Sequence, residues 1–446
     1  MTEEPLSRLI WELAVPTVIT MLVTAAYNMA DTFFVGRIGT EATAGVGLIL
    51  PVMAIIQAIV FFFGQGSGNF ISRSLGARDF SHAERMAATG GICAALFGLV
   101  LLAAGVVFRG GLLALLGARD GLVDAATIGY ASDYLTFILC GAPFMCLSCV
   151  LNNQLRFQGN AAYAMWGILS GVVLNLILAP LLILYFCLGI TGAAIATLVS
   201  QIFGCAMLLL MSTRGQNIRI SLHNFAPRWA FIKEIIFGGT PSLSRQGLGS
   251  LSAIMLNVAA GQYGDAAIAG MSIVTRLSFF IYAVVIGLGQ GFQPLCGFCY
   301  GARLYGRIRQ AFYFCIKCGT VFLSVCAIIG YVFSEPIIEL FRSDPAVIAV
   351  GAVALDWQII SYPLVATIVM TNMLTQTIRK PVRANLVAAA RSGLFFIPLI
   401  LILPRFFGLL GVEMCQAWAD VCSFALSVPV AWSAFRDMRR NSPSYN

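Results

Sequence analysis

The sequence predicts an all-α polytopic membrane protein with twelve transmembrane helices arranged as two pseudo-symmetric six-helix bundles. Three observations predict it: a composition too apolar for solution, a dozen continuous apolar runs, and an internal repeat. Of the 446 residues, 59% are hydrophobic and 10% are charged. A soluble domain carries about a quarter charged residues, so a mean hydropathy of +0.89 leaves too little polar side chain to cover a globular surface. That excludes a soluble enzyme and a nucleic-acid binder, in spite of the net charge of +8.

A spanning helix needs about 20 apolar residues. Runs of that length fall at 11–35, 45–70, 86–108, 127–151, 161–183 and 189–212. After a polar break come six more, at 233–259, 267–298, 311–333, 346–373, 384–403 and 408–434. The runs are continuous and show no alternation of the kind a β-barrel strand needs. The first nine residues carry Glu3, Glu4 and Arg8 and lack the basic start of a signal peptide, so the first run reads as a permanent span.

Basic residues orient the helices. The N-terminus, the even-numbered connections and the C-terminus hold eighteen Arg or Lys, the odd connections hold five (Arg37, Arg109, Arg119, Arg342 and Arg405), and four lie within spans. The excess predicts both termini in the cytoplasm of a protein of the plasma (inner) membrane, and it accounts for the positive charge without a nucleic-acid partner.

The chain matches itself at an offset of 225. Pro16 falls on Pro241, Gly36-Arg-Ile-Gly39 on Gly261-Gln-Tyr-Gly264, and Gly64-Gln-Gly66 with Gly76-Ala-Arg78 on Gly289-Gln-Gly291 with Gly301-Ala-Arg303. Near the end the offset is 219, with Gly189-Ile-Thr-Gly192 on Gly408-Leu-Leu-Gly411. An even number of spans per half gives both halves the same orientation, related by an axis along the membrane normal. The predicted organisation is a bundle over 1–213, a cytoplasmic linker over 214–230 and a second bundle over 231–446. Two equivalent bundles flanking a cleft suit an alternating-access carrier of small organic substrates; membrane lipids are the other expected partners, and a monomer is expected.

An ionisable group within a span costs about 2.5–3.5 kcal/mol on insertion scales, so each needs a reason. Asp31 stands in the first span with Asn28 three residues before it on the same face. Asn175 in the fifth span, and Asp133 and Tyr134 in the fourth, fall at similar depth. A carboxylate there can exchange a proton, or hold Na⁺ together with neighbouring oxygens, so these five residues form the candidate coupling site. Pro16 kinks the first span and is the candidate gating hinge. In the second half Arg245, Arg276 and Arg391 face Asp356, Glu413 and Asp420 as possible counter-charges, forming either inter-helix ion pairs or a charged wall for substrate. The Gly-Gln-Gly segments are read as sites of close helix packing.

Cys296-x-x-Cys299 and Cys315-x-x-Cys318 have zinc-site spacing, but their repeat mates are Ile71, Ser74, Gly90 and Cys93, so the same local fold forms without four thiols and the cysteines read as small hydrophobes. No metal and no cofactor is expected. The chain holds no P-loop, no HExxH and only two histidines, His82 and His223, which excludes ATP drive and leaves an ion gradient as the energy source. An integral-membrane transferase would need an acid/base or metal cluster that these histidines do not supply.

These residues, taken in order, resemble the multidrug and toxic compound extrusion (MATE) family. The likeness rests on Pro16, Asp31-x-x-x-Val35-Gly36, Gly64-Gln-Gly66, Gly76-Ala-Arg78, Leu155-Arg156-x-x-Gly159-Asn160, Leu188-Gly-Ile-x-Gly192-Ala-Ala-Ile-Ala196-Thr197 and Gln293-Pro294-Leu295, and it covers nearly the whole chain. It implies export of amphipathic, often cationic, compounds against H⁺ or Na⁺, with Asp31 and Asn175 at the coupling site and Pro16 as the residue that bends. Where the family often has Asn-x-x-x-Asp-Pro, this chain reads Asn175-Leu-Ile-Leu-Ala179-Pro180. The missing carboxylate weakens a Na⁺ site and favours H⁺. Where the NorM branch has an Asp three residues after a tenth-helix Gln, Ser361 follows Gln358, so the coupling site resembles that of DinF-type members. The rival reading is a dedicated exporter of one metabolite, or a flippase for a lipid-linked precursor.

Overall fold

The computed structural model describes residues 4–36, 38–116, 124–215, 217–218 and 221–440; the side chains of residues 31–33, 36, 40–43, 115 and 222 lie outside the description. Among the described residues every regular element is helical. The order is α1 (Leu6–Gly36), α2 (Thr40–Gly76), α3 (Phe80–Val107), α4 (Arg109–Leu115), α5 (Ala125–Phe157), α6 (Ala161–Pro180) and α7 (Gly189–Ser212). Then come α8 (Trp229–Gly261), α9 (Asp265–Gly301), α10 (Tyr305–Val332), α11 (Ser334–Phe341), α12 (Pro345–Thr377), α13 (Pro381–Ala389), α14 (Phe396–Phe407) and α15 (Leu409–Arg440). A π-helical turn, Leu181–Tyr185, extends α6, and another, Ala390–Leu394, joins α13 to α14.

With α13, the π turn and α14 counted as one span, eleven of the segments are long and apolar enough to cross a membrane. The twelfth expected span is α8, a full-length helix of 33 residues. It falls short in apolarity because Ser242, Ser244, Arg245, Gln246, Ser250 and Ser252 crowd its middle. Serine and glutamine do not break a helix; they lower its hydropathy without changing its backbone.

The repeat is visible in detail. The short helices α4 and α11 begin at Arg109 and Ser334, again 225 apart. Arg78 and Arg303 both take left-handed backbone, at φ 60° and 59°. There they close matching helix ends in which the Asp79 N–H donates to the Ser74 carbonyl and the Leu304 N–H to the Cys299 carbonyl, each at 2.8 Å. The backbone around these arginines thus closes both helix ends. Asn152 Nδ2 donates to the Ala164 carbonyl and Asn372 Nδ2 to the Ala384 carbonyl, each at 2.9 Å, so the offset has become 220 by this point.

The chain forms two compact units, one of residues Ile19–Gly239 and one of Met1–Val18 with Thr240–Asn446. The first is built around α5, which packs on α2, α3, α6 and α7; the second is built around α12, which packs on α9, α10, α13 and α15. The divisions fall inside α1 and α8 rather than in the linker, so each unit includes the opening segment of the other half's first helix. Pro16 and Pro241 lie no more than two residues from those divisions.

The Gly-Gln-Gly segments receive these opening segments. A Cβ on Gly66 of α2 would lie 2.4 Å from the Ile235 carbonyl oxygen of α8, and one on Gly291 of α9 would lie 2.6 Å from Ala14 Cα of α1. Both obstacles are backbone, which cannot swing aside. Gly66→Val is therefore expected to cost roughly 2–3 kcal/mol through overpacking, read as a lower unfolding temperature in detergent. Gly247→Ala, where the new methyl meets nothing within 4 Å, is the control and should be neutral or stabilising.

Candidate functional site

The amino-terminal candidates lie on three helices of one unit. Val35 of α1, Ala179 of α6, Ile183 of the π turn, and Ala193 and Ala196 of α7 form a buried apolar cluster. Asn175 stands one turn before Ala179, and Asp31 one turn before Val35, so the shared cluster sets positions 31 and 175 at matching register. The Asp31 side chain lies outside the described residues. Asn175 is 3% exposed, and its Nδ2 donates to Thr197 Oγ1 of α7 at 3.4 Å. Thr197 in turn donates to the Ala193 carbonyl at 3.0 Å. Thr197 was quoted above only as part of a small-residue motif; its hydroxyl faces Asn175 because α6 and α7 pack closely along their small residues.

Asn28 lies on an exposed stretch of α1. Asp133 and Tyr134 of α5 part company. Asp133 is exposed, whereas Tyr134 is 2% exposed within the apolar cluster of α2 and α5. Successive helix residues diverge by about 100°, so equal depth did not give equal surroundings. Pro16 stands within α1 beside the division between the two units.

In the other unit the intramembrane charges resolve unequally. Arg391 rides on the π turn and grips Asp420 of α15 with both ends of its guanidinium: Nε donates to Oδ1 at 2.7 Å and Nη2 to Oδ2 at 3.3 Å. Asp420 is fully buried, and it also accepts from Gln416 Nε2 at 2.8 Å and Ser361 Oγ at 3.1 Å. The guanidinium carbon stands 4.4 Å from the Tyr282 ring centroid, and that ring meets Tyr362 edge-on at 5.3 Å. Every charge in this network is neutralised within the unit. Ser361 thereby serves as a donor to Asp420.

Arg245 differs. Its Nη1 donates to Asn372 Oδ1 at 2.9 Å, and among the described residues it meets no carboxylate. Serines of the same helix bond α12 and α13: Gln376 Nε2 donates to Ser242 Oγ at 2.9 Å, and Ser244 Oγ to Asn385 Oδ1 at 2.8 Å. The polar middle of α8 is thus a seam of helix–helix hydrogen bonds. Arg276, Asp356 and Glu413 form no ion pair among the described residues. Nor do three His, Cys, Asp or Glu side chains converge on a metal site among them; Cys296, Cys299 and Cys315 are buried in the packing of α9 and α10.

Outside the spans, Asp79 caps α3. Its carboxylate accepts from the His82 N–H at 3.2 Å, and the bonds to the His82 ring and N–H hold it below the usual carboxylate range.

The MatE family model matches this chain twice, over residues 16–181 and 241–402. The two matches start 225 residues apart, at Pro16 and Pro241, and reproduce the internal repeat. The chain is 27% identical over 426 residues to the multidrug export protein MepA of Staphylococcus haemolyticus, covering 95% of this chain and 92% of that one. It is 28% identical over 430 residues to MepA of Staphylococcus aureus, covering 95% and 93%. Among solved structures, an outward-facing multidrug resistance MATE family transporter of the MOP superfamily superposes with a TM-score of 0.91 at 25% identity, covering 98% of this chain and 97% of that one. A MATE structure in the straight conformation gives a TM-score of 0.92 at 24% identity, with 98% of each chain covered, and shows the shared fold. With most of its length matched by the family model, one copy per repeat, the chain belongs to the MatE family.

Proposed function

We propose that this protein is a secondary antiporter that exports amphipathic organic compounds, cations among them, in exchange for H⁺. The observation that carries the proposal is the paired MatE match on a chain 27–28% identical to multidrug export proteins over nearly all of its length. The absence of a second fifth-helix carboxylate at Ala179 favours H⁺ over Na⁺, and Ser361 three residues after Gln358 favours a DinF-type over a NorM-type member. Neutralisation of Asp420 by Arg391 supports the same choice, because it leaves no free carboxylate at that point of the second unit.

Coupling is assigned to Asp31, with Asn175 and Thr197 as neighbouring polar groups and Pro16 as the gating hinge. The excess of basic residues on one side supports placing both termini in the cytoplasm, in the plasma membrane. One proton moving down about 100 mV releases roughly 2.3 kcal/mol, enough for about a fiftyfold gradient of a neutral solute; for a monovalent cation exchanged one for one the charges cancel and the pH gradient drives export.

Proteoliposomes loaded with a fluorescent organic cation test this reading. Export accelerated by an imposed H⁺ gradient and indifferent to a Na⁺ gradient is the expected result. Acceleration by Na⁺ alone would overturn the choice of ion, and indifference to both would overturn antiport.

A further inference from the structure

We propose that the cleft between α10, α12 and α15 is a binding site for an anionic phospholipid of the cytoplasmic leaflet. The cleft encloses about 660 Å³. It exists because α10 and α15 both pack on α12 and touch each other little. Its inner wall is apolar, with Ile316, Phe424 and Val428, and its mouth carries Arg309, Arg436 and Arg439. Arg309 lies about 6 Å along the axis from the start of α10, and Arg436 about 6 Å from the end of α15, whereas Val428 lies about 18 Å from that end. The cleft therefore grades from basic to apolar along the membrane normal, as a lipid grades from headgroup to acyl chain. The inference rests on the proposed orientation, which puts the basic rim at the cytoplasmic headgroup layer.

The rim is charged without internal compensation. Asp437, next to Arg436, faces away and pairs with Arg383 at 2.8 Å and Lys380 at 3.2 Å. Among the described residues Arg309, Arg436 and Arg439 form no ion pair. Two of them lie over aromatic rings instead, Arg309 at 5.8 Å from the Tyr313 centroid and Arg436 at 5.1 Å from that of Trp432. Tyr313 stacks on Phe435 at 6.3 Å. These rings supply the amphipathic belt that membrane interfaces favour, and they splint the guanidinium groups with their donors left for phosphate.

The other repeat shows that this basic mouth is no requirement of the fold. The position matching Arg309 is Glu84, and there the linker crosses the helix ends. Asn224 Nδ2 donates to Glu84 at 3.4 Å, and the Ile218 N–H donates to Gln158 Oε1 at 2.7 Å. Among the described residues, one repeat closes this place with its own chain and a carboxylate, and the other leaves it open, basic and aromatic.

Native mass spectrometry of the full chain, released from mixed phosphatidylglycerol and phosphatidylcholine micelles, tests the proposal without reading transport, so its failure is separable from failure of the antiport reading. The parent should retain one phosphatidylglycerol in preference to phosphatidylcholine. Arg309→Gln with Arg436→Gln should weaken that retention about thirtyfold, the effect of two charges near a membrane surface. Arg309→Lys with Arg436→Lys should keep most of it, and Arg214→Gln, an exposed charge elsewhere, should change nothing. Equal retention of the two lipids by the parent, or unchanged retention in the double Gln variant, overturns the proposal. So does a chain ending at Arg440 that gains a phosphatidylglycerol the parent lacks, since the cleft would then belong to the last six residues.

Discussion

Asp31→Asn is expected to abolish gradient-driven export. Asparagine keeps the size and most of the hydrogen-bonding capacity of the side chain, but it has no proton to exchange and no charge to offer a cation. The solute gradient that an imposed pH difference sustains in the parent should collapse to unity in the variant, while solute exchange without a net gradient persists. Parallel measurement in Asn175→Ala separates coupling from scaffolding. Asn175 donates to Thr197 within the packing of α6 and α7, so its loss should reduce the rate and leave the final gradient intact. Ala179→Asp adds the carboxylate that the chain lacks. Ala179 is 1% exposed beside Val35 and Ala193, so the new group costs stability, and in the protein that folds it should bring a response to Na⁺. A parent-like gradient in Asp31→Asn would remove coupling from this residue.

Asp420→Ala is expected to be the most destabilising single change in the second unit. It leaves the Arg391 guanidinium without its counter-charge inside the bundle, and breaking a buried pair from one side costs about 3–5 kcal/mol. It also takes away the acceptor of Gln416 and one of the two acceptors of Ser361, whose hydroxyl keeps the Gln358 carbonyl at 2.8 Å. Asp420→Asn keeps an acceptor for those two donors and should cost less. Replacing both charged partners, with Arg391→Leu and Asp420→Leu together, should recover most of the loss, because hydrophobic residues of similar volume often replace a buried ion pair at little cost. Thermal unfolding in detergent of the parent, Arg391→Leu, Asp420→Leu and the double Leu variant reads the interaction as a double-mutant cycle. Additive single and double variants would show that the pair contributes nothing as a pair.

The two networks differ in how far they could be read from the chain. Arg391 and Asp420 could be named as possible partners because charges in apolar runs are few, but Arg245 and Arg276 carried the same signal and, among the described residues, pair with no carboxylate. Linear spacing gives depth along a helix and leaves open the direction a side chain faces across a bundle of six. Asp133 and Tyr134 make the same point at adjacent positions, one exposed and one in the apolar core. Thr197 gave no signal at all, since a threonine in a run of small residues is read as packing until α6 brings Asn175 to it.

Composition, apolar run length and self-similarity determined by themselves that this is a helical membrane protein of two repeated halves. Those properties follow from the cost of unsatisfied backbone and charge in hydrocarbon, which acts locally and leaves its mark on every span. The sequence also placed Asp31 and Asn175 at like depth, and the prolines in the first helix of each half. Only the tertiary structure decided that α1 and α8 are shared between the compact units, with those prolines beside the divisions. It alone decided that Arg391 pairs with a carboxylate while Arg245 meets none among the described residues, and that those residues leave open in one repeat the cleft at whose equivalent the other lays its linker. Each of these depends on which faces of distant helices meet, and that is settled by side-chain packing summed over the whole bundle.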